Sequence, residues 1–100
     1  MSFNNVFVIA GIALALSSFA VAAQESKAEG CSGGAELAKL IMETRQKEFP
    51  MAALMDMAKT DLERGLIIKA YERRSYNSEE IAARMAAEFQ NEFYLSCIKR

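Results

Sequence analysis

Residues 81–97 read IAARMAAEFQNEFYLSC, and this stretch decides the fold of the chain. Apolar residues recur in it every four positions, and because a helix has about 3.6 residues per turn they form one slowly drifting stripe. The stripe consists of Ile81, Met85, Phe89, Phe93 and Cys97. A helix of this kind needs a partner surface to bury its apolar face. We therefore predict a helix over residues 81–97, with Phe89 and Phe93 in the core.

The first 24 residues differ from all that follow, because none of them carries a charged side chain. Residues 6–16 (VFVIAGIALAL) form an apolar run of the length found in signal peptides. Val21, Ala22 and Ala23 follow as small residues of the kind that signal peptidase reads. We predict a signal peptide over residues 1–23, cleaved after Ala23 or, as a second choice, after Ala22. This assignment predicts a periplasmic or secreted protein.

An uncleaved signal anchor is the alternative interpretation of the same segment. The opening residues MSFNN contain no Lys or Arg, whereas signal peptides begin with a positive region. Residues 6–23 are uncharged throughout, and their length approaches the ~20 residues that span a bilayer. After cleavage, by contrast, we expect no membrane span.

The two cysteines, Cys31 and Cys97, predict a disulfide. In a short exported chain, paired cysteines most often form a covalent bridge. A domain of this size rarely gains more than ~3–5 kcal/mol from its core alone. Closing the loop between these two positions adds roughly 4 kcal/mol in the chain-entropy model. The last helix would then be joined to the beginning of the exported chain.

The exported part is predicted to contain a polar leader followed by helices. Residues 24–34 (QESKAEGCSGG) are glycine-rich and polar, which favours a flexible leader, and the helical domain is assigned to residues 35–100. Pro50 favours a new helix after a break at Phe49-Pro50. Two further helix starts are indicated by capping boxes at Thr60 and Asn77. No strand-like alternation is present, so the predicted fold is all-α, a small bundle of three to four helices.

Each predicted helix has an apolar face. In the first helix Leu37, Leu40, Ile41 and Thr44 form the expected buried stripe, widened by Ala38 and Met42. In the second the expected face is Met51, Leu54, Met55 and Ala58, and in the third it is Leu62, Leu66, Ile67, Ala70 and Tyr71. Gly65, inside the third helix, costs about 1 kcal/mol relative to alanine, which predicts that a neighbouring backbone passes close to it.

Composition excludes several chemistries. The chain has no histidine, which rules out Ser-His and Cys-His nucleophiles and His-bearing zinc sites. Two cysteines do not make a four-thiolate metal site within one chain. The net charge of −1 gives no electrostatic basis for binding nucleic acid. Paired carboxylates remain an alternative, since Glu88 and Glu92 lie four apart on one helix face and would share a proton if they were buried together. We expect them to be solvated, and we predict a protein that is not an enzyme, with no cofactor, no metal site and no nucleic-acid partner.

Methionines and one aromatic-basic cluster are the candidate binding features. Most methionines are expected to fill the core, with an adaptable partner groove and a soft-copper site as alternatives. Met57 lies about 100° off the apolar stripe of its helix, so we expect it to be exposed. Tyr71, Arg73, Arg74 and Tyr76 combine aromatic rings with guanidinium groups, as interface hot spots do. We predict that these four contribute to partner binding; the alternative is that the arginines only favour the end of a helix.

Five short motifs of the chain together form a recognisable pattern: Cys31, Met42-x-x-Arg45-Gln46, Ala70-Tyr71, Glu88-Phe89 and Tyr94-x-x-Cys97. The pattern resembles a group of short, secreted, uncharacterised proteins of bacteria and their phages. The resemblance implies export and the Cys31–Cys97 disulfide, and it implies no activity. Members of that group often have a glycine in the turn before the second helix, where this chain has residues 47–50 (KEFP).

The layout of signal peptide, helical domain and long disulfide loop is also similar to periplasmic acid-stress chaperones of the HdeA kind and to the phage protein Spackle, which blocks a tail lysozyme. These are analogies of fold alone. Our leading hypothesis is a non-enzymatic module that binds or inhibits an unknown protein partner. The competing hypothesis is a stress chaperone that exposes an apolar helix face when it is partly unfolded. Nothing in the sequence specifies the oligomeric state.

Overall fold

A computed structural model of the chain describes residues 27–100. These residues form α1 (27–46), α2 (Met51–Met57), α3 (Asp61–Tyr71) and α4 (Glu79–Ile98), and they contain no strand. The prediction of an all-α fold is therefore confirmed. The predicted signal peptide, residues 1–23, lies outside the described residues. From residue 27 onward, no helix has the length and apolar character needed to cross a membrane.

The predicted disulfide is present between Cys31 and Cys97, whose Cα atoms are 5.6 Å apart. Cys31 lies in α1 and is almost completely buried, while Cys97 lies in the last turn of α4. The bridge thus joins the first and last helices of the compact unit, which comprises Cys31–Arg100.

Three helices supply the core. The buried cluster consists of Ala38, Ile41 and Met42 from α1, Leu66, Ile67 and Ala70 from α3, and Ala86 and Phe89 from α4. Each of these helices contributes one alanine with no solvent exposure. Side chains this small let neighbouring backbones approach closely, and the larger side chains fill the remaining space. The short helix α2 has no buried residue and covers one side of the core with Leu54 and Met55.

Phe89 is 3% exposed, as predicted, but several other residues of the expected apolar faces are not buried. Phe93 is only partly buried, and Leu40, Met51, Leu62 and Ile81 are exposed. In α1 the buried face is centred on Ala38 and Met42, about 100° or more from the predicted stripe through Leu37 and Leu40. Leu37, Leu40 and Ile41 line a concavity together with Leu54 and Met57 of α2, and Leu40 is 59% exposed there.

The helix ends follow local sequence signals with two small corrections. Thr60 caps α3 as predicted, because its side-chain oxygen accepts a hydrogen bond from the Glu63 N–H at 3.1 Å. The cap of α4 is Ser78 rather than Asn77, since the Ser78 hydroxyl accepts from the Ile81 N–H at 3.3 Å. Pro50 caps α2 instead of lying within its first turn.

The turn between α1 and α2 contains a residue with a positive φ. Glu48 has a φ of 61°, in the left-handed region that favours glycine at a helix C-terminus. The Glu48 N–H donates to the Arg45 carbonyl at 2.8 Å, and the Phe49 N–H donates to the Thr44 carbonyl at 3.4 Å. This pair of bonds is the Schellman pattern. The Glu48 carboxylate also accepts from the Ser75 hydroxyl at 3.2 Å.

The predicted flexible leader is wrong for residues 27–34, which are helical, and the helical domain begins before residue 35. Its remaining residues, 24–26, lie outside the described part of the chain. The physical reason is burial: Cys31 and Ala35 pack inside, and Gly34 lies beneath the ring of Phe93. A Cβ atom at Gly34 would meet that ring, with its Cζ only 2.6 Å away. The glycine therefore permits a close helix contact instead of providing flexibility.

Two adjacent glycines of α1 provide a matched test of this contact. We expect Gly34→Ala to be about 1–3 kcal/mol less stable than Gly33→Ala, because overpacking against Phe93 carries a cost of that size. Both substitutions gain the same helix propensity, about 1 kcal/mol. Nothing lies within 4 Å of a Cβ at Gly33, so this variant is the control. Urea unfolding of both variants measures the difference, and equal stabilities would show that the Phe93 ring moves away without cost.

Candidate protein-binding surfaces

The four residues predicted to bind a partner lie together at the end of α3 and in the connector, residues 72–78, that leads to α4. Tyr71 belongs to the last turn of α3, and Arg73, Arg74 and Tyr76 belong to the connector. The connector is anchored to the end of α1, and the structure of that anchor determines which side chains remain exposed.

Arg45 and Gln46 of α1 hold the connector by its backbone. The Arg45 guanidinium donates to the Arg73 carbonyl from Nε and Nη2, at 3.1 and 3.0 Å. The Gln46 side chain donates to the Arg74 carbonyl at 2.8 Å and accepts from the Tyr76 N–H at 2.9 Å. Gln46 is the one buried polar residue in the stretch 27–100, at 7% exposure. Its amide thus satisfies one donor and one acceptor of a loop that has no regular secondary structure.

Tyr71 links the same anchor to the turn before α2. Its hydroxyl donates to the Phe49 carbonyl, and the Arg45 guanidinium lies over its ring, 4.9 Å from the centroid. Burial raises the pKa of the Tyr71 hydroxyl, and the positive charge of Arg45 opposes that rise. The neutral phenol is the form that donates this hydrogen bond, so the half-buried tyrosine has a structural role at neutral pH.

Arg73 is also engaged within the fold, whereas Arg74 is not. The Arg73 guanidinium forms an ion pair with Glu92 of α4 and lies 5.4 Å from the centroid of the Phe89 ring. The Arg74 side chain is exposed and makes no ion pair with any residue from 27 to 100. The structure therefore brings the four residues together, with Arg74 the most accessible of them. Their contribution to partner binding stays a prediction.

Sequence reasoning assigned no structural role to Arg45 or Gln46. A signal was present, because both belong to the Met42-x-x-Arg45-Gln46 pattern and Gln46 lies one helical turn after the buried Met42. Its amide also donates to the Met42 sulfur at 3.4 Å. The partners of both residues in the connector are 28 to 30 positions away, and no local pattern indicates them.

A second surface, which we name the α1–α2 groove, is formed by α1, α2 and the start of α3. It has a volume of about 340 Å³. Its lining is mostly apolar and consists of Leu37, Leu40, Ile41, Thr44, Phe49, Leu54, Met57, Ala58, Glu63 and Ile67. Three of these side chains are large, apolar and exposed: Met57 at 65%, Leu40 at 59% and Phe49 at 39%. The predicted exposure of Met57 is thereby confirmed.

Two polar side chains line this groove, and each makes one hydrogen bond inside the protein. The Thr44 hydroxyl donates to the Leu40 carbonyl at 2.8 Å. The Glu63 carboxylate accepts from the Thr60 hydroxyl at 3.1 Å. An incoming molecule therefore meets an apolar surface that offers few hydrogen-bonding groups.

The described residues contain no group of three His, Cys, Asp or Glu side chains close enough to hold a metal ion. Absence of a metal or cofactor in the functional protein stays a prediction from composition.

The fold and these surfaces define a class: a small all-α domain, closed by one long-range disulfide, with an apolar groove on one side. Comparison of the chain with protein-family models, curated proteins and solved structures finds no match.

Proposed function

We propose that this chain is an exported, non-enzymatic protein-binding module whose α1–α2 groove receives an apolar helix of a partner protein. The observation that carries the proposal is the exposure of Leu40, Phe49 and Met57 around one apolar concavity. Single exposed apolar residues are ordinary, but a contiguous set around a groove is typical of an interaction site. Methionine at the edge of such a groove adapts to different apolar partners.

A helix is the occupant that this lining favours. An extended strand or a loop brings unpaired backbone N–H and C=O groups, and burying them without partners costs free energy. The groove lining holds only two polar side chains, Thr44 and Glu63, and each already makes one hydrogen bond inside the protein, so most of such groups would stay unpaired. A helix satisfies its own backbone and presents only side chains, as in helix-in-groove recognition.

Burial in the structure favours a preformed module over an acid-triggered chaperone. Gln46 is the one buried polar or charged residue between positions 27 and 100, so no carboxylate there is both buried and available to trigger opening when it is protonated. Leu40, Phe49 and Met57 are exposed in the groove without any unfolding.

Two features of the chain support export, its disulfide and the sequence of its first 23 residues. A disulfide is typical of oxidising compartments, and residues 1–23 have the pattern of a signal peptide. Both observations agree with a periplasmic or secreted module. Localisation of an epitope-tagged chain in cell fractions tests this part of the proposal, and recovery with reduced cysteines in the cytoplasm would contradict it.

The groove proposal is tested by selecting binders from a displayed library of amphipathic helical peptides at neutral pH. We expect enriched peptides to carry apolar residues at i, i+3 or i+4 spacing. Leu40→Glu and Met57→Glu should each weaken their binding at least tenfold, since truncating or charging an interface anchor typically costs more than ~1.4 kcal/mol. Both side chains are exposed, so melting temperatures should change little.

Leu95→Glu on α4 is the matched control, because Leu95 is 53% exposed and lies outside the groove. Binding that survives both groove substitutions, or that Leu95→Glu weakens equally, would overturn the groove assignment. Binding that appears only at low pH, together with loss of the near-UV circular dichroism signal, would favour the chaperone hypothesis instead.

A further inference from the structure

A second concavity, the α3–α4 pocket, lies between α3 and α4 and shares no lining residue with the α1–α2 groove. Its volume is about 230 Å³. Leu62, Leu66, Phe89 and Phe93 supply its apolar walls. An engineered cavity of about 150 Å³ with similar walls binds benzene, so this pocket has room for one benzyl or branched aliphatic group.

Gly65 explains why the space is open. It lies inside α3 and lines the pocket, and no atom beyond the adjoining residues of its own helix lies within 4 Å of the position that its Cβ would occupy. The sequence-based expectation of a backbone passing close to Gly65 is therefore wrong. A glycine inside a helix costs about 1 kcal/mol relative to alanine, and packing does not account for it here. Because glycine has no side chain, the mouth of the pocket is unobstructed at position 65.

The charges around the pocket favour a negatively charged group. The carboxylates of Asp61 and Glu92 line it, but Asp61 pairs with Arg64 at 2.9 Å and Glu92 pairs with Arg73. Lys69 also lines the pocket, and no residue from 27 to 100 forms an ion pair or hydrogen bond with its side chain. Each carboxylate thus has an arginine partner. Arg100 is a second cation in the lining, and Lys69 is the cation of the lining whose ammonium group has no carboxylate partner among residues 27–100.

We infer that the α3–α4 pocket binds an apolar or aromatic group that carries a carboxylate. The ring or branched chain enters between Phe89, Phe93 and Leu66, beside Gly65, and the carboxylate lies against Lys69. Two sources offer this chemistry: a free small carboxylic acid, and the C-terminal residue of a polypeptide with an apolar side chain. The inference is independent of the proposed function, because it concerns a different surface.

The test is an NMR titration of the oxidised, ¹⁵N-labelled protein with 3-phenylpropionate, and with 3-phenylpropanamide as the uncharged match. We expect the acid to shift the amide signals of Gly65, Lys69 and Ser96 with saturation, and to bind more tightly than the amide. Lys69→Gln should weaken binding of the acid about threefold to fivefold, the size of an exposed charge interaction, and leave binding of the amide unchanged. Equal affinities for acid and amide, or the absence of saturable shifts, would overturn the inference.

Filling the pocket provides a second variant. Gly65→Leu should abolish the saturable shifts, whereas Gly33→Leu, at an open glycine position outside the pocket, should leave them unchanged. Melting temperatures of both variants verify that they are folded. Retained binding by a folded Gly65→Leu protein would also contradict the inference.

The two sources are separated by titrating N-acetyl-phenylalanine and a tetrapeptide that ends in phenylalanine. Tighter binding of the tetrapeptide identifies a chain terminus, and equal or weaker binding identifies a free carboxylic acid. Leu40→Glu, in the α1–α2 groove, should change none of these titrations, so failure of the groove proposal and failure of this inference are distinguishable.

Discussion

Removing the Cys31–Cys97 disulfide is expected to lower the free energy of unfolding by about 4 kcal/mol. The two cysteines are 66 positions apart, so the bridge closes most of the described chain into one loop and restricts its unfolded state. It also joins the start of the compact unit to the last turn of α4, where α1 would otherwise separate from α4. For a domain of this size the loss is comparable to the total stability.

Urea unfolding of the oxidised protein, with and without a strong thiol reductant, measures this effect. The double substitution Cys31→Ala with Cys97→Ala is the companion variant, since alanine leaves no hydroxyl buried at position 31. Both the reduced protein and the double variant should unfold at much lower urea. If each remained within about 1 kcal/mol of the oxidised protein, the loop would contribute far less than the chain-entropy model predicts.

Phe89→Ala is expected to cost about 3–5 kcal/mol. Phe89 is 3% exposed and packs in the cluster that α1, α3 and α4 share. Truncating it leaves a cavity between three helices and also removes the ring beneath the Arg73 guanidinium. The connector between α3 and α4 therefore loses the contact of Arg73 with the Phe89 ring, while the ion pair of Arg73 with Glu92 can remain.

Thermal unfolding followed by circular dichroism measures the effect of Phe89→Ala. Phe93→Ala should cost less, because Phe93 is only partly buried, and Leu95→Ala should remain within about 0.5 kcal/mol of the parent. A Phe89→Ala protein that melts within a few degrees of the parent would contradict the assignment of Phe89 to the core.

The candidate sites depend on the sequence to different degrees. The exposure of Met57 followed from helical periodicity, because its side chain lies about 100° around the helix from the apolar stripe. The groove beside it did not follow, because Leu40 was expected to be buried. Periodicity specifies the angle between side chains on one helix, and it does not specify how far a neighbouring helix extends over them. Leu40 of α1 and Met57 of α2 line the same concavity, and both side chains remain exposed there.

By itself, the sequence determined the features that depend on near neighbours and on composition. These are the helical class of the fold, the cap at Thr60, the burial of Phe89 in α4, and the pairing of the two cysteines. The helical features depend on the spacing of residues within a few turns of helix. The disulfide pairing follows because each cysteine has one other cysteine in the chain to pair with.

Tertiary structure decided which faces meet and what each glycine does. Gly34 and Gly65 have the same local chemistry, yet one lies under the ring of Phe93 and the other opens a pocket. Arg45 and Gln46 bind carbonyl groups 28 positions away, across the gap between α1 and the connector. The physical reason is that packing and long-range hydrogen bonds depend on the distance between helices. That distance is set where small residues let two helices approach closely, and a local sequence pattern does not specify it.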